Sequence, residues 1–459
     1  MTSAMHLVFH HTRGDFIRKL FAIALPIALQ SVMFSSRGLV DVLMLGQLGE
    51  ADIAAVGIAS RAMFVTTIML VGITTGGSML IAQYWGAGNH KGVKESTALT
   101  WMIASLIAAV TVVGFSLFPT QVMSLATDSP EVIALGTDYI VLTAFSMFGV
   151  ACVASMAVGL RSIQKPGLST FFSGIGIVSN VFLNWVFIFG NLGAPAMGIK
   201  GAAIATLISS AIEVCCLYGY LYSKKHLLSF GFHEMVTVWN RETVIRFLKL
   251  SMPTTFNFLA WAGGLFVYHA IMGQTGVQGL AALSVMTPVE SISLCVMIGI
   301  STASAALIGN QLGAKDLESV YYRAIGLVVV NIGVGIVTAT LLYLCQIYIL
   351  DAFTALSDET RELSQKFMLV LSVGIVLRSL PMMAIVGVLR AGGDVNFCLY
   401  QDLVAQWVIG IPVTAFCAIV LGWKPEYIYA LFLLEELIKW FGSTYRIKSK
   451  KWIRNLVEN

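Results

Sequence analysis

The chain has 459 residues, of which 57% are hydrophobic and only 11% charged, with a formal net charge of +4. A soluble chain of this size carries roughly 25% charged residues on its surface, so the composition excludes a water-soluble domain. The basic residues gather in short loops and towards the C-terminus, which is how membrane topology is written; they do not form a nucleic-acid patch. The seven cysteines show neither metal spacing nor a disulfide framework, and the adjacent Cys215 and Cys216 lie in an apolar run.

About 20 apolar residues cross a bilayer core as a helix. Apolar runs between charged or Gly/Pro-rich breaks predict twelve such helices. The first six cover roughly 16–45, 53–84, 96–119, 132–160, 168–190 and 199–222. The second six cover roughly 246–272, 279–310, 321–349, 364–389, 397–421 and 426–444. The run beginning near Phe16 is too long for a signal-peptide core and lacks a clear cleavage site, so it reads as a span. The expected division is an N-terminal six-helix bundle (1–222), a cytoplasmic linker (223–245) with a short surface helix, a C-terminal six-helix bundle (246–445) and a basic cytoplasmic tail (446–459).

Charge bias orients these spans. Arg13, Arg18, Lys91, Arg161, Lys224, Lys225, Arg241, Lys315 and Arg390 fall on one side with the basic tail, while the other side holds acids such as Glu50, Asp128 and Asp358. An even number of spans puts both termini on the basic, cytoplasmic side.

The halves also repeat. Pro26 and Pro253 lie 227 positions apart, and at the same offset GITTGGSMLIAQYWGAGN (72–89) falls on GISTASAALIGNQLGAKD (299–316). GLRSIQKPG (159–167) is echoed by GVLRAGGD (387–394) with a small register change. Two parallel repeats of six helices suit alternating access. With no P-loop and no soluble domain in the sequence, ion coupling is expected in place of ATP hydrolysis, and no cofactor is expected. A channel fits the duplicated halves poorly. No compact set of catalytic polar residues suggests an enzyme.

Charged groups inside spans are expensive and so mark function. Asp41 leads: it follows Pro26 on the first helix, where the missing N–H lets the helix bend. An acid there can exchange H⁺ or Na⁺, or it can form a static pair with Arg37 one turn earlier. Asn180 and Asn184, at i and i+4, share one helix face. They can offer oxygens to a cation beside Asp41, or merely tie helices together. Thr206 lies on a small-residue face of the sixth helix. In the second half, Glu290 follows Pro288, Arg378 lies in the tenth span, and Asp402 and Gln406 share a face in the eleventh. Glu213, Glu435 and Glu436 are placed near helix ends. Met33, Phe34, Arg37, Phe64, Phe256, Trp261, Tyr268, Met286, Glu290 and Arg378 are candidate lining residues of a substrate cavity, since Met adapts to irregular ligands and aromatic faces attract organic cations.

Pro26, VDVLMLGQLG, LIAQYWGAGN and VGLRSIQKPG, echoed by LIGNQLGAKD and VGVLRAGGD, make the chain resemble the multidrug and toxic compound extrusion (MATE) family over about 16–445. The resemblance implies an all-α polytopic membrane protein with 12 transmembrane helices in two pseudo-symmetric six-helix bundles, V-shaped. It implies antiport of cationic or amphipathic organic compounds against H⁺ or Na⁺. The marks are closest to the prokaryotic DNA-damage-inducible branch, in which Asp41 matches the essential acid, Asn180 its amide and Thr206 its hydroxyl. Asn184 falls where many members carry aspartate, which lowers the local negative charge and leaves H⁺ against Na⁺ open at Asp41, Asn180 and Asn184. The other prokaryotic branch uses acids in the seventh and tenth helices. Here those stretches read NFLAWAGGLFV and VLRSLPMM, with Arg378 and Ser379, so coupling is expected in the first half. The expectation is therefore a multidrug antiporter of the bacterial inner membrane, acting as a monomer among lipids without nucleic acid or an obligate protein partner. The alternative is a flippase or exporter of a lipid-linked or anionic envelope precursor, for which Arg37, Arg61 and Arg378 are the support.

Overall fold

The computed structural model describes residues 2–458 except residue 355, with the side chains of residues 2–4, 39 and 42 outside the described set. The described chain is helical almost throughout. Its helices are α1 (Thr2–Thr12), α2 (Asp15–Leu45), α3 (Glu50–Gly86), α4 (His90–Leu117), α5 (Pro119–Ser124), α6 (Pro130–Ser162), α7 (Gly167–Phe189), α8 (Ile199–Ser223) and α9 (Phe232–Val238). They continue with α10 (Arg241–Gln274), α11 (Val277–Gly313), α12 (Leu317–Leu344), α13 (Gln346–Asp351), α14 (Asp358–Met382), α15 (Val395–Asp402), α16 (Ile411–Ala415), α17 (Pro425–Leu431) and α18 (Leu434–Lys448).

Among the described residues, eleven helical segments are long and apolar enough to span a membrane, and they coincide with the first eleven predicted spans to within six residues at each end. The twelfth predicted segment is helical but broken. A tight turn at Phe432 and Leu433, with i→i−3 hydrogen bonds to Tyr429 and Ala430, separates α17 from α18. Glu435, Glu436 and Lys439 then place three charges in the first turns of α18. The surface is apolar where a soluble protein would be polar: Val110, Val113, Val178 and Ile419 are all more than half exposed. Such a surface suits lipid.

Packing divides the chain into two compact units, Leu29–Thr255 and Met1–Ala28 with Phe256–Asn459. Both boundaries fall two residues after a proline of the repeat, Pro26 in α2 and Pro253 in α10. The packing itself repeats. In the first unit a Cβ on Gly72 would stand 2.5 Å from the Thr255 Cα, and in the second a Cβ on Gly299 would stand 2.9 Å from the Ala28 Cβ. Gly72 and Gly299 are 227 positions apart, and so are Ala28 and Thr255. Each glycine therefore lets one half-helix lie against the repeat-related long helix, α10 on α3 and α2 on α11. Leu20, Ile23, Ala24 and Ile27 accordingly belong to a core with Ile300, Ala303 and Leu307.

Proline also shapes α14. Pro381 cannot donate to the Leu377 carbonyl, and the Trp440 indole N–H fills that role at 2.5 Å. Asn331, fully buried, donates to the nearby Ser379 carbonyl at 2.7 Å. Beyond Pro381 the helix widens to π geometry over Met383–Leu389, as the ladder slips by one residue. The surface helix expected in the linker is α9, which exposes Phe232 and Val236. Residues beyond 445 are packed against the unit: Trp452 is fully buried, and Arg446 grips Asp394 through two bonds of 2.5 and 2.9 Å.

Candidate functional site

Inside the unit Leu29–Thr255, α7 and α8 form a hairpin whose register is tight. The Met197 N–H donates to the Phe187 carbonyl at 2.9 Å. Gly201 opens α8 against the same carbonyl, where a Cβ would have no room. This register brings the polar face of α7 (Ser173, Asn180, Asn184) beside that of α8 (Thr206, Ser209, Glu213). Both faces follow the i, i+3/i+4, i+7 spacing of a helical stripe.

Two polar clusters lie along this stripe. In the first, the Asn184 Nδ2–H donates to Asp41 Oδ1 at 2.7 Å. It also reaches Asn180 Oδ1 at 3.4 Å, and the Asn180 Nδ2 donates to Thr206 Oγ1 and Ser209 Oγ, each at 3.4 Å. The structure thus brings together all four of Asp41, Asn180, Asn184 and Thr206. Asn180 and Asn184 are essentially fully buried, while Asp41 and Thr206 are half-buried. The Tyr139 phenol of α6 stands in the field of the same carboxylate. Arg37 lies one turn before Asp41, but among the described residues no salt bridge joins them. Among the described residues the Asn184 Oδ1 is buried and has no hydrogen-bond partner.

That orphan oxygen defines what the cluster can do. An amide paired with a carboxylate satisfies only its N–H. If Asp41 takes a proton, its O–H can donate to Asn184 Oδ1 while the Asn184 N–H still donates back, closing a reciprocal acid–amide pair. A Na⁺ ion would be held by the Asp41 carboxylate and the Asn180 and Asn184 oxygens, a hard donor set with one negative charge. Among the described residues no group of three or more His, Cys, Asp or Glu has metal-binding geometry.

The second cluster was not singled out from the sequence. The Gln30 Nε2–H donates to Ser173 Oγ at 3.0 Å, and the Ser173 hydroxyl donates to Glu213 Oε1 at 2.8 Å. Glu213 is 6% exposed. Placing Glu213 at a helix end hid it, although its spacing of seven from Thr206 on α8 was a visible signal.

The other unit carries a different arrangement. Lys439, buried, has Glu435 at 3.5 Å, Asp402 at 3.6 Å and Glu436 at 4.0 Å. Arg378 pairs with Glu290 and, at 3.6 Å, with Glu436, and the Tyr268 hydroxyl donates to Glu435 at 3.0 Å. Tyr268 and Met286 are packed in a core with Phe367 and Tyr429. Of the other candidate cavity residues, Phe34, Phe64, Phe256 and Trp261 are exposed, and Met33 and Arg37 are half-buried.

Comparison with known proteins agrees with this architecture. The chain is 25% identical over 449 residues to the uncharacterized transporter YisQ of Bacillus subtilis, covering 95% of each chain. It is 25% identical over 414 residues to the multidrug resistance protein NorM of Vibrio cholerae, covering 89% of this chain and 88% of that one. A crystal structure of a variant of the Vibrio cholerae MATE transporter VcmN superposes with a TM-score of 0.86 at 18% identity, over 99% of this chain and 100% of that one. The MatE family model matches residues 26–186 and 253–416, one segment in each sequence repeat, and the chain belongs to that family of membrane transporters.

Proposed function

We propose that this chain is a secondary active multidrug exporter that moves cationic or amphipathic organic compounds outward in exchange for protons, with Asp41 as the coupling group. The observation that carries the reading is the Asp41–Asn184 pair, a half-buried carboxylate held at 2.7 Å by a buried amide whose own oxygen has no donor among the described residues. Ionised Asp41 accepts from Asn184; protonated Asp41 also donates to it. The two states differ in charge and in hydrogen bonding, which is what an ion-driven change of helix shape requires. Asn180, Thr206 and Ser209 orient Asn184 from behind. Pro26, on the same helix, provides the point where α2 can bend. The reciprocal Asp41–Asn184 pair needs only a proton to close, which favours H⁺, whereas Na⁺ would need further oxygen ligands besides the one carboxylate and two amides. The relatives named as multidrug resistance proteins support the substrate class. The basic loops support an inner-membrane location with both termini in the cytoplasm, and we read the chain as acting as a monomer.

The anionic-precursor reading loses one of its supports, because Arg378 is committed to Glu290 and Glu436. Dye efflux from vesicles under separately imposed proton and sodium gradients tests the proposal, with Asp41→Asn as the variant. Proton-driven efflux in the parent and its loss in a folded Asp41→Asn protein is the expected result. Normal coupling in that variant would remove Asp41 from the mechanism. Absence of dye movement under either gradient in the parent would favour the precursor exporter.

A further inference from the structure

We propose that Glu213 is a second proton-binding station, on the inward side of Asp41, through which the coupling proton leaves towards the cytoplasm; this rests on the proton-coupled reading above. Three helices place it there in register. On α2, Gln30 precedes Asp41 by 11 residues, about 16 Å of helix. On α7, Ser173 precedes Asn184 by the same 11 residues, and on the antiparallel α8, Glu213 follows Thr206 by seven, about 10 Å. The Gln30–Ser173–Glu213 cluster is thus a second rung of the same ladder. It lies towards the N-terminal ends of α2 and α7, the side on which Arg18, Lys19 and Lys165 mark the cytoplasm.

The chemistry of the rung is that of a proton acceptor. Gln30 donates to Ser173, so the Ser173 hydroxyl is left to donate to Glu213, and the chain of bonds points one way. A carboxylate in a membrane interior without a counter-charge is costly. Among the described residues no cation lies within ion-pair distance of Glu213. The charged groups of α2 are Asp15, Arg18, Lys19, Arg37 and Asp41, and the field of Arg37 reaches Glu213. Between Gly167 and Phe189, α7 has no titratable side chain. The titratable groups of α6 are Glu131, Asp138, Tyr139, Cys152 and Arg161, and those of α8 nearest in sequence are Cys215, Cys216 and Tyr218. A proton is therefore the simplest means of neutralising Glu213.

Ser209 stands between the rungs, bonded to Asn180 and one turn before Glu213. In the transfer the Asp41 carboxyl gives up its proton and becomes a carboxylate, and the Glu213 carboxylate takes it and becomes neutral. The total charge of the pair is constant while the negative charge moves outward. Glu213 then returns the proton to cytoplasmic water.

The test compares Glu213→Gln, Glu213→Asp and Ser173→Ala with the parent and Asp41→Asn in proteoliposomes, reading proton-driven dye efflux from pH 5.5 to 8.5 and dye–dye exchange without a gradient. Glu213→Gln still accepts from Ser173 and so keeps the fold. It is expected to cut proton-driven efflux at least tenfold while exchange stays at the parent rate. Glu213→Asp is expected to restore efflux in part, and Ser173→Ala to shift the pH profile. A purely structural Glu213 would lower exchange and driven efflux together, which would overturn the proposal. Parent-like driven efflux and pH profile in Glu213→Gln would also overturn it, while leaving Asp41 in place. Normal coupling in Asp41→Asn with loss in Glu213→Gln would instead retain Glu213 and displace Asp41. A parent without proton-driven efflux ends both.

Discussion

The two units bury acids in opposite ways. Asp41 and Glu213 meet neutral amides and hydroxyls, whereas Glu290, Asp402, Glu435 and Glu436 close on Arg378 and Lys439. A neutral partner such as Asn184 can serve both protonation states of an acid, because it is donor and acceptor at once. A cation serves only the ionised state and penalises the other. The first arrangement is suited to a group that changes charge during a cycle. The second is suited to holding α10, α11, α14, α15 and α18 in place.

The sharpest way to break that comparison is Lys439→Met. Removing the cation leaves the buried Glu435 and Glu436 and the half-buried Asp402 without their shared partner, and the expected cost is about 3–5 kcal/mol. Thermal unfolding in detergent reads it, and a parent-like midpoint would mean the network is no clamp. Glu436→Gln should cost far less, since acids outnumber bases there. Next in size are Gly72→Ala and Gly299→Ala, each placing a methyl against a half-helix. A loss of about 1–3 kcal/mol is expected for each. A large effect at one and none at the other would show that the repeat is not matched in packing. Asn184→Asp sharpens the comparison from the other side. A second carboxylate opposite Asp41 should create a sodium dependence of efflux of about tenfold, or roughly 1.4 kcal/mol; efflux indifferent to sodium would argue that site charge does not select the ion.

The smallest effect lies outside the membrane. His226 is pushed below its ordinary value first by burial and then by Lys165, and its Nδ1 accepts the Leu228 N–H at 3.2 Å. Its folded state favours the neutral ring. The stabilisation is therefore present above the unfolded value of about 6.5 and lost as pH falls through the lower folded value. Amide exchange at Leu228, corrected for its intrinsic pH dependence, should speed up on acidification. The change should vanish in His226→Gln, and its persistence there would assign it to another group.

Much of the first cluster was legible because its residues declare themselves locally. Asp41 is an acid in an apolar span, and Asn180 and Asn184 share a face by spacing alone. The span pattern was equally readable, since hydropathy is a property of one segment at a time. What could not be read is what depends on partners distant in sequence. The Trp440 bond to Leu377 is invisible until α14 and α18 meet. Lys439 gains its meaning only from acids on α15 and its own helix, and Glu213 only from Ser173 and Gln30. The break between α17 and α18 depends on a few backbone bonds that hydropathy does not register.

The exchange of half-helices at Pro26 and Pro253 has a consequence for biosynthesis. Leu29–Thr255 is one continuous stretch, so that unit has all of its parts once residue 255 has been made. The segment before Leu29 is made earlier but belongs with Phe256 onwards. At about 5–20 residues per second it waits roughly 10–45 s for its partners to begin to emerge. During that wait Leu20, Ile23 and Ile27 have no core to enter, and lipid or the insertion machinery must shelter them. A segment made early is thus among the last to find its place.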